Sequence, residues 1–272
     1  MTIKFSICNE LFKGWSIERI VRYISRIGYE GIEIAPFTIS SDIRNVSKSE
    51  RTKIRETAER YNIEIVGTHW LLVTPPGLHI THPDENVRKR TLEYLITLVK
   101  FTAEIGGKIM VFGSPKQRNI LPGVSRDKAW EWAISLFKKV SAIAEDHGVT
   151  VCIEPLSRDQ TNFINTAEEA VDLINAVNSP SFRLILDVRS MFDEKISHDE
   201  IIRRYGEYLA HFHANDSNGL GPGFGKARYP KIAKALNDVN YKGYVSVEVF
   251  DFSLGARYIA ERSIVYLFKY FR

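Results

Sequence analysis

The chain has 272 residues, of which 44% are hydrophobic, enough apolar material for one large domain or two small ones. That composition excludes a disordered or low-complexity polypeptide. The net charge is only +4, with 37 Lys+Arg against 33 Asp+Glu and no dense basic block, which argues against nucleic acid as a partner and leaves an anionic small molecule open.

Met1 leads straight into a short strand-like run, Ile3 to Cys8. No apolar run reaches ~18 residues, so neither a signal peptide nor a membrane span is expected. The two cysteines, Cys8 and Cys152, both sit in strand-like runs. They read as reduced, buried thiols of a cytoplasmic protein.

Ser16 caps an expected helix to about Ile27, and Gly31-Ile-Glu-Ile-Ala35 is a second strand stopped by Pro36. Ser47-Lys-Ser-Glu50 has capping-box spacing and opens a helix to about Tyr61. Ile63 to Thr68 is strand three, followed by His69-Trp70 and a proline-rich loop. From Asp84 a long helix carries Val87, Thr91, Tyr94, Leu95 and Leu98 on one face, and Gly106-Gly107 ends it. Lys108 to Phe112 is strand four; Ser125 starts the next helix and Gly148 closes it. Val149 to Ile153 is strand five, ending on Glu154. Thr166-Ala-Glu-Glu169 suggests another capping box, with a helix to about Val177. Strand six ends on Asp187, and a helix follows over roughly 197–205. Strand seven ends on His213, and a glycine-rich loop and a helix to about Asn237 come after it. Strand eight, Gly243 to Val249, carries Glu248 at its end, and the last helix starts near Ser253.

Eight strand–helix units alternate strictly, with no linker or composition break, so residues 1–272 are expected to form a single (β/α)8 TIM barrel in the α/β class. A doubly wound open sheet is the rival, but a closed barrel alone makes the polar ends of strands five to eight converge. Alternation along each strand then places Cys152 below Glu154, Ile185 below Asp187, His211 below His213 and Ser246 below Glu248, all facing inward.

Glu154, Asp187, His213 and Glu248 thus form a site of three carboxylates and one nitrogen. One reading is a buried salt-bridge network. No Lys or Arg is interleaved at these strand ends, however, and a net ligand charge near −3 demands a cation. One divalent metal ion is expected, with the oxygen majority favouring Mn²⁺ or Mg²⁺ over Co²⁺ or Zn²⁺. A metal holding two adjacent oxygens of a hydroxy-ketone acidifies the carbon between them and stabilises the enediolate. Glu154 and Glu248, three apart in a ring of eight, are the natural acid–base pair to move that proton.

The four-ligand spacing resembles the xylose-isomerase-like superfamily of sugar phosphate isomerases and epimerases, and most of all its ketose 3-epimerase branch. The resemblance extends over the chain through Gly31-Ile-Glu-Ile-Ala-Pro-Phe37, Gly67-Thr-His-Trp-Leu-Leu72, Phe112-Gly-Ser-Pro115, Glu154-Pro-Leu156 and Pro222-Gly-Phe-Gly225. It implies that Glu154 and Glu248 both bind metal and transfer protons, as catalytic residues of a sugar isomerase or epimerase acting on a small carbohydrate or its phosphate. The chain departs from the 3-epimerase pattern at three points. Ser190 stands where that branch has His, Gly219 where it has Arg, and Gln160 where it has a second Glu.

Candidate substrate contacts are His69 and Trp70 after strand three, Glu33 at the end of strand two, Lys116, Arg158, Gln160 and Ser190. Gln117 and Arg118 share the solvated-loop reading that competes for Lys116, and Glu33 has a salt-bridge alternative. His211 reads as a satisfied core histidine; His79, His82, His147 and His198 read as surface or loop. The glycines of 219–225 have the wrong spacing for a dinucleotide fingerprint, but backbone N–H groups after strand seven suit a phosphate. An inosose-type dehydratase uses the same metal cage and is an alternative. An AP-endonuclease-like repair enzyme needs more His and Asp ligands, and a non-enzymatic sugar-binding barrel does not require four. A homo-oligomer is compatible with the sequence.

Overall fold

The structure is a computed structural model that describes residues 3–272. Eight short strands run parallel: β1 Lys4–Cys8, β2 Gly31–Ile34, β3 Glu64–Thr68, β4 Ile109–Phe112, β5 Thr150–Ile153, β6 Phe182–Asp187, β7 Leu209–Ala214 and β8 Tyr244–Val247. They pair in sequence order, and β1 returns to β8 with Ser6 beside Ser246, closing the barrel. The expected (β/α)8 architecture is therefore present. No helix among the described residues is long and apolar enough to cross a membrane.

Outward-facing residues Phe5, Ile7, Ile32, Ile34, Val151, Leu184, Phe212 and Val245 join one apolar cluster under the helices. Inside the barrel a separate small cluster holds Val111, Cys152 and Ile185, as alternation predicts. The rest of the interior is polar, with Ser6, Glu33, His211, His213 and Ser246 all buried. The outer layer thus supplies most of the hydrophobic stabilisation, and the inner layer is free to carry chemistry.

The helices are α1 Ile17–Ile27, α2 Lys48–Arg60, α3 Glu85–Glu104, α4 Arg126–Asp146, α5 Ala167–Val177, α6 Val188–Met191, α7 His198–Tyr205, α8 Tyr229–Asp238 and α9 Ala256–Phe271. Ser16, Asp84 and Ser125 cap α1, α3 and α4, and Ser47 with Glu50 forms the reciprocal box of α2. At α5 the box is only half made. Thr166 accepts from the Glu169 N–H, but the Glu169 carboxylate takes the Asn165 N–H at 2.6 Å and bonds Arg126. The single-turn α6 was not expected. Asp187 starts it by capping the Ser190 N–H at 2.8 Å.

Phe137 on α4 is fully buried between Phe112 of β4 and Phe182 of β6, with centroid separations of 5.1 and 4.7 Å. It locks a helix onto β4 and β6, the strands on either side of the one that leads to Glu154. Phe137→Ala should cost about 3–5 kcal/mol of unfolding free energy, readable by urea denaturation. A loss below ~1 kcal/mol would mean that the layer repacks and that Phe137 is not a keystone.

Candidate metal and catalytic centre

Glu154 lies one residue beyond β5 and Glu248 one residue beyond β8, yet both stay on the ladder. The Glu154 N–H donates to the Phe112 carbonyl and the Glu248 N–H to the Ala214 carbonyl, each at 3.2 Å. Asp187 ends β6, and His213 is the penultimate residue of β7. One ligand-competent atom from each of the four falls within 4.8 Å of all the others, and all four residues are buried.

Neighbouring residues orient each group. Asp187 accepts from the Ser190 N–H through one oxygen and from the Asn215 side-chain amide at 2.5 Å through the other. Arg118, fully buried, donates to the backbone carbonyls of Glu154 at 2.7 Å and Ile164 at 2.9 Å, holding the end of β5. Gly113 leaves room for Glu154: a Cβ there would stand 2.4 Å from Oε2. Glu33 lies fully buried below the cluster and takes Nε2 of His211 at 2.7 Å and Nε2 of His213 at 3.2 Å. His213 faces Glu33 through Nε2 and the carboxylates through Nδ1; in its neutral form with the proton on Nε2, Nδ1 carries a lone pair open to a cation.

Two atoms test whether a cation fits. His213 Nδ1 and Glu248 Oε2 lie 3.0 Å apart, but neither makes a hydrogen bond of acceptable geometry, and both are buried. A nitrogen and an oxygen without partners, converging with carboxylates of Glu154 and Asp187, are what a divalent ion would bind.

The electrostatics agree. Burial, then repulsion from Glu248 and Asp187, pushes the Glu154 carboxyl well above its ordinary range. Burial and Glu248 push Asp187 up to about 6. Burial opposes ionisation of Glu248 too, but contact with His213 outweighs it and holds that carboxyl low. His213 is itself raised, because Glu248 and Glu33 overcome the desolvation of its cation. Without a cation the cluster must take up protons.

Among the expected substrate contacts, His69, Trp70 and Gln160 line a narrow pocket of about 20 Å³ over Glu154 and Glu248, together with Gly113, Ser114 and Phe250. His69 bonds Glu10 through Nε2 at 2.7 Å. The other expected contacts are placed elsewhere. Glu33 is beneath the cluster and not on the pocket wall, because His211 and His213 hold it there. Ser190 supports Asp187 through its backbone and is buried. Arg158 pairs with Asp193, its side chain 56% exposed, and Lys116 is exposed; neither lines the pocket. Arg118 is no solvated loop residue. His79 is buried as well, and desolvation pulls its imidazole down to about 4.

Sequence reasoning missed Asn215, Arg118 and Glu10. Asn215 follows His213 by two residues, the inward spacing of a strand, which was a usable signal. Arg118 had none, since its partners are main-chain carbonyls remote in sequence.

The chain belongs to the xylose isomerase-like TIM barrel family, whose model matches residues 21–270. A D-psicose 3-epimerase from Ruminiclostridium cellulolyticum is 27% identical over 237 residues, 85% of this chain and 77% of that protein. Two solved structures share the fold at lower identity. The D-psicose 3-epimerase with D-tagatose from Clostridium cellulolyticum superimposes at a TM-score of 0.86, with 22% identity over 99% of this chain and all of that one. The 3-keto-D-glucoside 4-epimerase from Escherichia coli does so at 0.85, with 21% identity over 98% of this chain and 99% of that one. These relatives are epimerases by name, in keeping with the isomerase-class enzyme expected from the sequence.

Two predictions concern the cation. The raised carboxyl of Asp187 destabilises the metal-free fold as pH climbs from the usual carboxylate range through about 6. A bound cation removes that penalty and must compete with protons below it. Chelator-treated protein should therefore gain stability on adding Mn²⁺ near neutral pH, by ~2.7 kcal/mol at a hundredfold excess over Kd. The gain should shrink as pH falls through about 6. A melting temperature indifferent to Mn²⁺, Mg²⁺, Co²⁺ and Zn²⁺ at every pH contradicts a metal site. Second, Glu33→Gln should weaken Mn²⁺ affinity roughly 10–100-fold by calorimetry, because it frees the tautomer and orientation of His213. Unchanged affinity would show that Glu33 does not orient the ligand.

Proposed function

We propose that the chain is a divalent-metal-dependent sugar epimerase or isomerase that moves a proton at a carbon next to a carbonyl. The observation that carries this reading is the pair Glu154 and Glu248. Two buried carboxyls converge on one point from β5 and β8, three apart in the ring of eight. One takes the proton from the reacting carbon and the other returns it. Reversal of the reaction exchanges the roles.

A divalent cation at the four ligands, Mn²⁺ before Mg²⁺, Co²⁺ or Zn²⁺, would supply the positive charge that acidifies the C–H between two neighbouring sugar oxygens. The protein does the rest. Asp187 and His213, fixed by Asn215 and Glu33, hold the centre in place. Trp70 and Phe250 wall the pocket against water, and Gln160 offers an amide to a sugar hydroxyl. The names of the relatives fit this chemistry: a 3-epimerase of a 2-ketose and a 4-epimerase of a 3-keto-glucoside both invert a carbon beside a carbonyl.

Turnover of a ketohexose panel in deuterated water tests the reading. Deuterium should enter at the carbon that inverts, and Glu154→Gln and Glu248→Gln should each lower the rate by ~10²-fold or more. Turnover without label, or a product lighter by one water, would remove the two-carboxylate proton relay.

A further inference from the structure

The pocket over Glu154 and Glu248 is narrow, at about 20 Å³, and a cleft of about 990 Å³ adjoins it. The two share Trp70 and Phe250, whose rings meet edge to face with centroids 6.3 Å apart. The loops after β1, β2, β3 and β8, with residues of α1 and α2, build the cleft, and Phe12, Trp15, Phe37 and Ile54 form much of its wall. Val73 and Phe252 stand at the edge, 38% and 44% exposed. A cleft this large matches a drug-sized ligand and far exceeds a single hexose, and its exposed lining is mainly apolar, although Lys13, Glu50 and Lys53 also line it.

One polar group sits where cleft and pocket meet. Glu10 lines the cleft and bonds His69, which lines the pocket. One oxygen of Glu10 takes the His69 bond; the other, Oε1, is buried without a partner. A carboxylate oxygen in that state lacks a donor, and a sugar hydroxyl is such a donor.

We propose that the substrate is a sugar that carries an apolar, preferentially aromatic, group at its non-reacting end, and that this group fills the cleft. The inference rests on the proposed function for its orientation. The reacting carbon must lie between Glu154 and Glu248, so the other end of the sugar leaves past Trp70 and Phe250. That exit leads into the cleft, with Glu10 placed to take a hydroxyl on the way.

Calorimetry on the Mn²⁺-loaded protein with D-fructose and 6-O-benzyl-D-fructose tests the cleft without requiring turnover. The benzyl ether should bind at least tenfold more tightly, since its ring is taken out of water. Ile54→Glu should bring the ratio of the two affinities close to one. Equal affinities in the unaltered protein, or no binding of the benzyl ether, overturn the proposal. Deuterium exchange in the same samples reads the reaction separately. Exchange without preference for the benzyl ether removes the cleft assignment and keeps the proton transfer. Preference without exchange supports the cleft and removes the proton transfer.

Discussion

Three carboxylates that must share one point dominate this molecule. Glu154, Asp187 and Glu248 are buried within reach of one another, and none has a Lys or Arg at hydrogen-bond distance from its side chain. Bringing such groups together costs free energy at neutral pH unless protons or a cation enter. The asymmetry of their acidities follows from who stands nearest. His213 touches Glu248, whereas Glu154 faces mostly carboxylates, with Arg118 serving its backbone. A single histidine thus sets two chemically identical residues apart in acidity when no cation is bound.

The barrel supplies the rigidity that this repulsion requires. Backbone N–H groups of Glu154 and Glu248 are pinned to neighbouring strands, so neither residue can retreat by fraying the strand end. Beneath them Glu33 is fully buried and ionised: burial resists its charge, but His211 and His213 outweigh that. A fourth carboxylate so close would worsen the repulsion if it pointed upward. By facing two imidazole N–H groups it instead fixes His213 in the tautomer that leaves Nδ1 open. The polar interior of this barrel is therefore a layered device, and the apolar outer layer under the helices provides the stability that offsets it.

The metal-competent set was legible in the sequence because every member ended an apolar strand, and alternation told which side it faced. Cys152 and Ile185 fell inside where alternation placed them. What escaped was anything set by contacts across long intervals. Glu33 stood open between a pocket contact and a salt bridge, because position on a strand does not reveal depth; it pairs with His211 and His213. Arg158 looked like a sugar contact until its partner proved to be Asp193. Arg118 seemed a loop cation, although its guanidinium is fully buried on main-chain carbonyls. The short helix α6 hid because Asp187 serves both as strand end and as helix cap, and only one of these roles shows as periodicity. The cleft could not be seen at all, since four separate loops and two helices make its walls.

The departures from the 3-epimerase pattern gain a physical meaning from this division. Gly219 stands where that pattern carries Arg, and its backbone is left-handed, with φ of 77°. Its carbonyl accepts N–H bonds from Phe250 at 2.7 Å and Asp251 at 2.9 Å, so this glycine clamps the loop after β8. An L-residue there would be strained, and the clamp is what sets Phe250 against Trp70. A side chain that could reach a sugar has been replaced by backbone geometry that seats an aromatic wall. Ser190 follows the same logic, since its N–H serves Asp187 and it brings no imidazole to the pocket. The four candidate ligands and Glu33 are anchored at strand ends and in the barrel floor, while Trp70, Gln160 and Phe250 of the pocket wall ride on loops. Loops can therefore exchange polar side chains for apolar walls without disturbing the buried cluster beneath, as the Gly219 clamp and Phe250 illustrate.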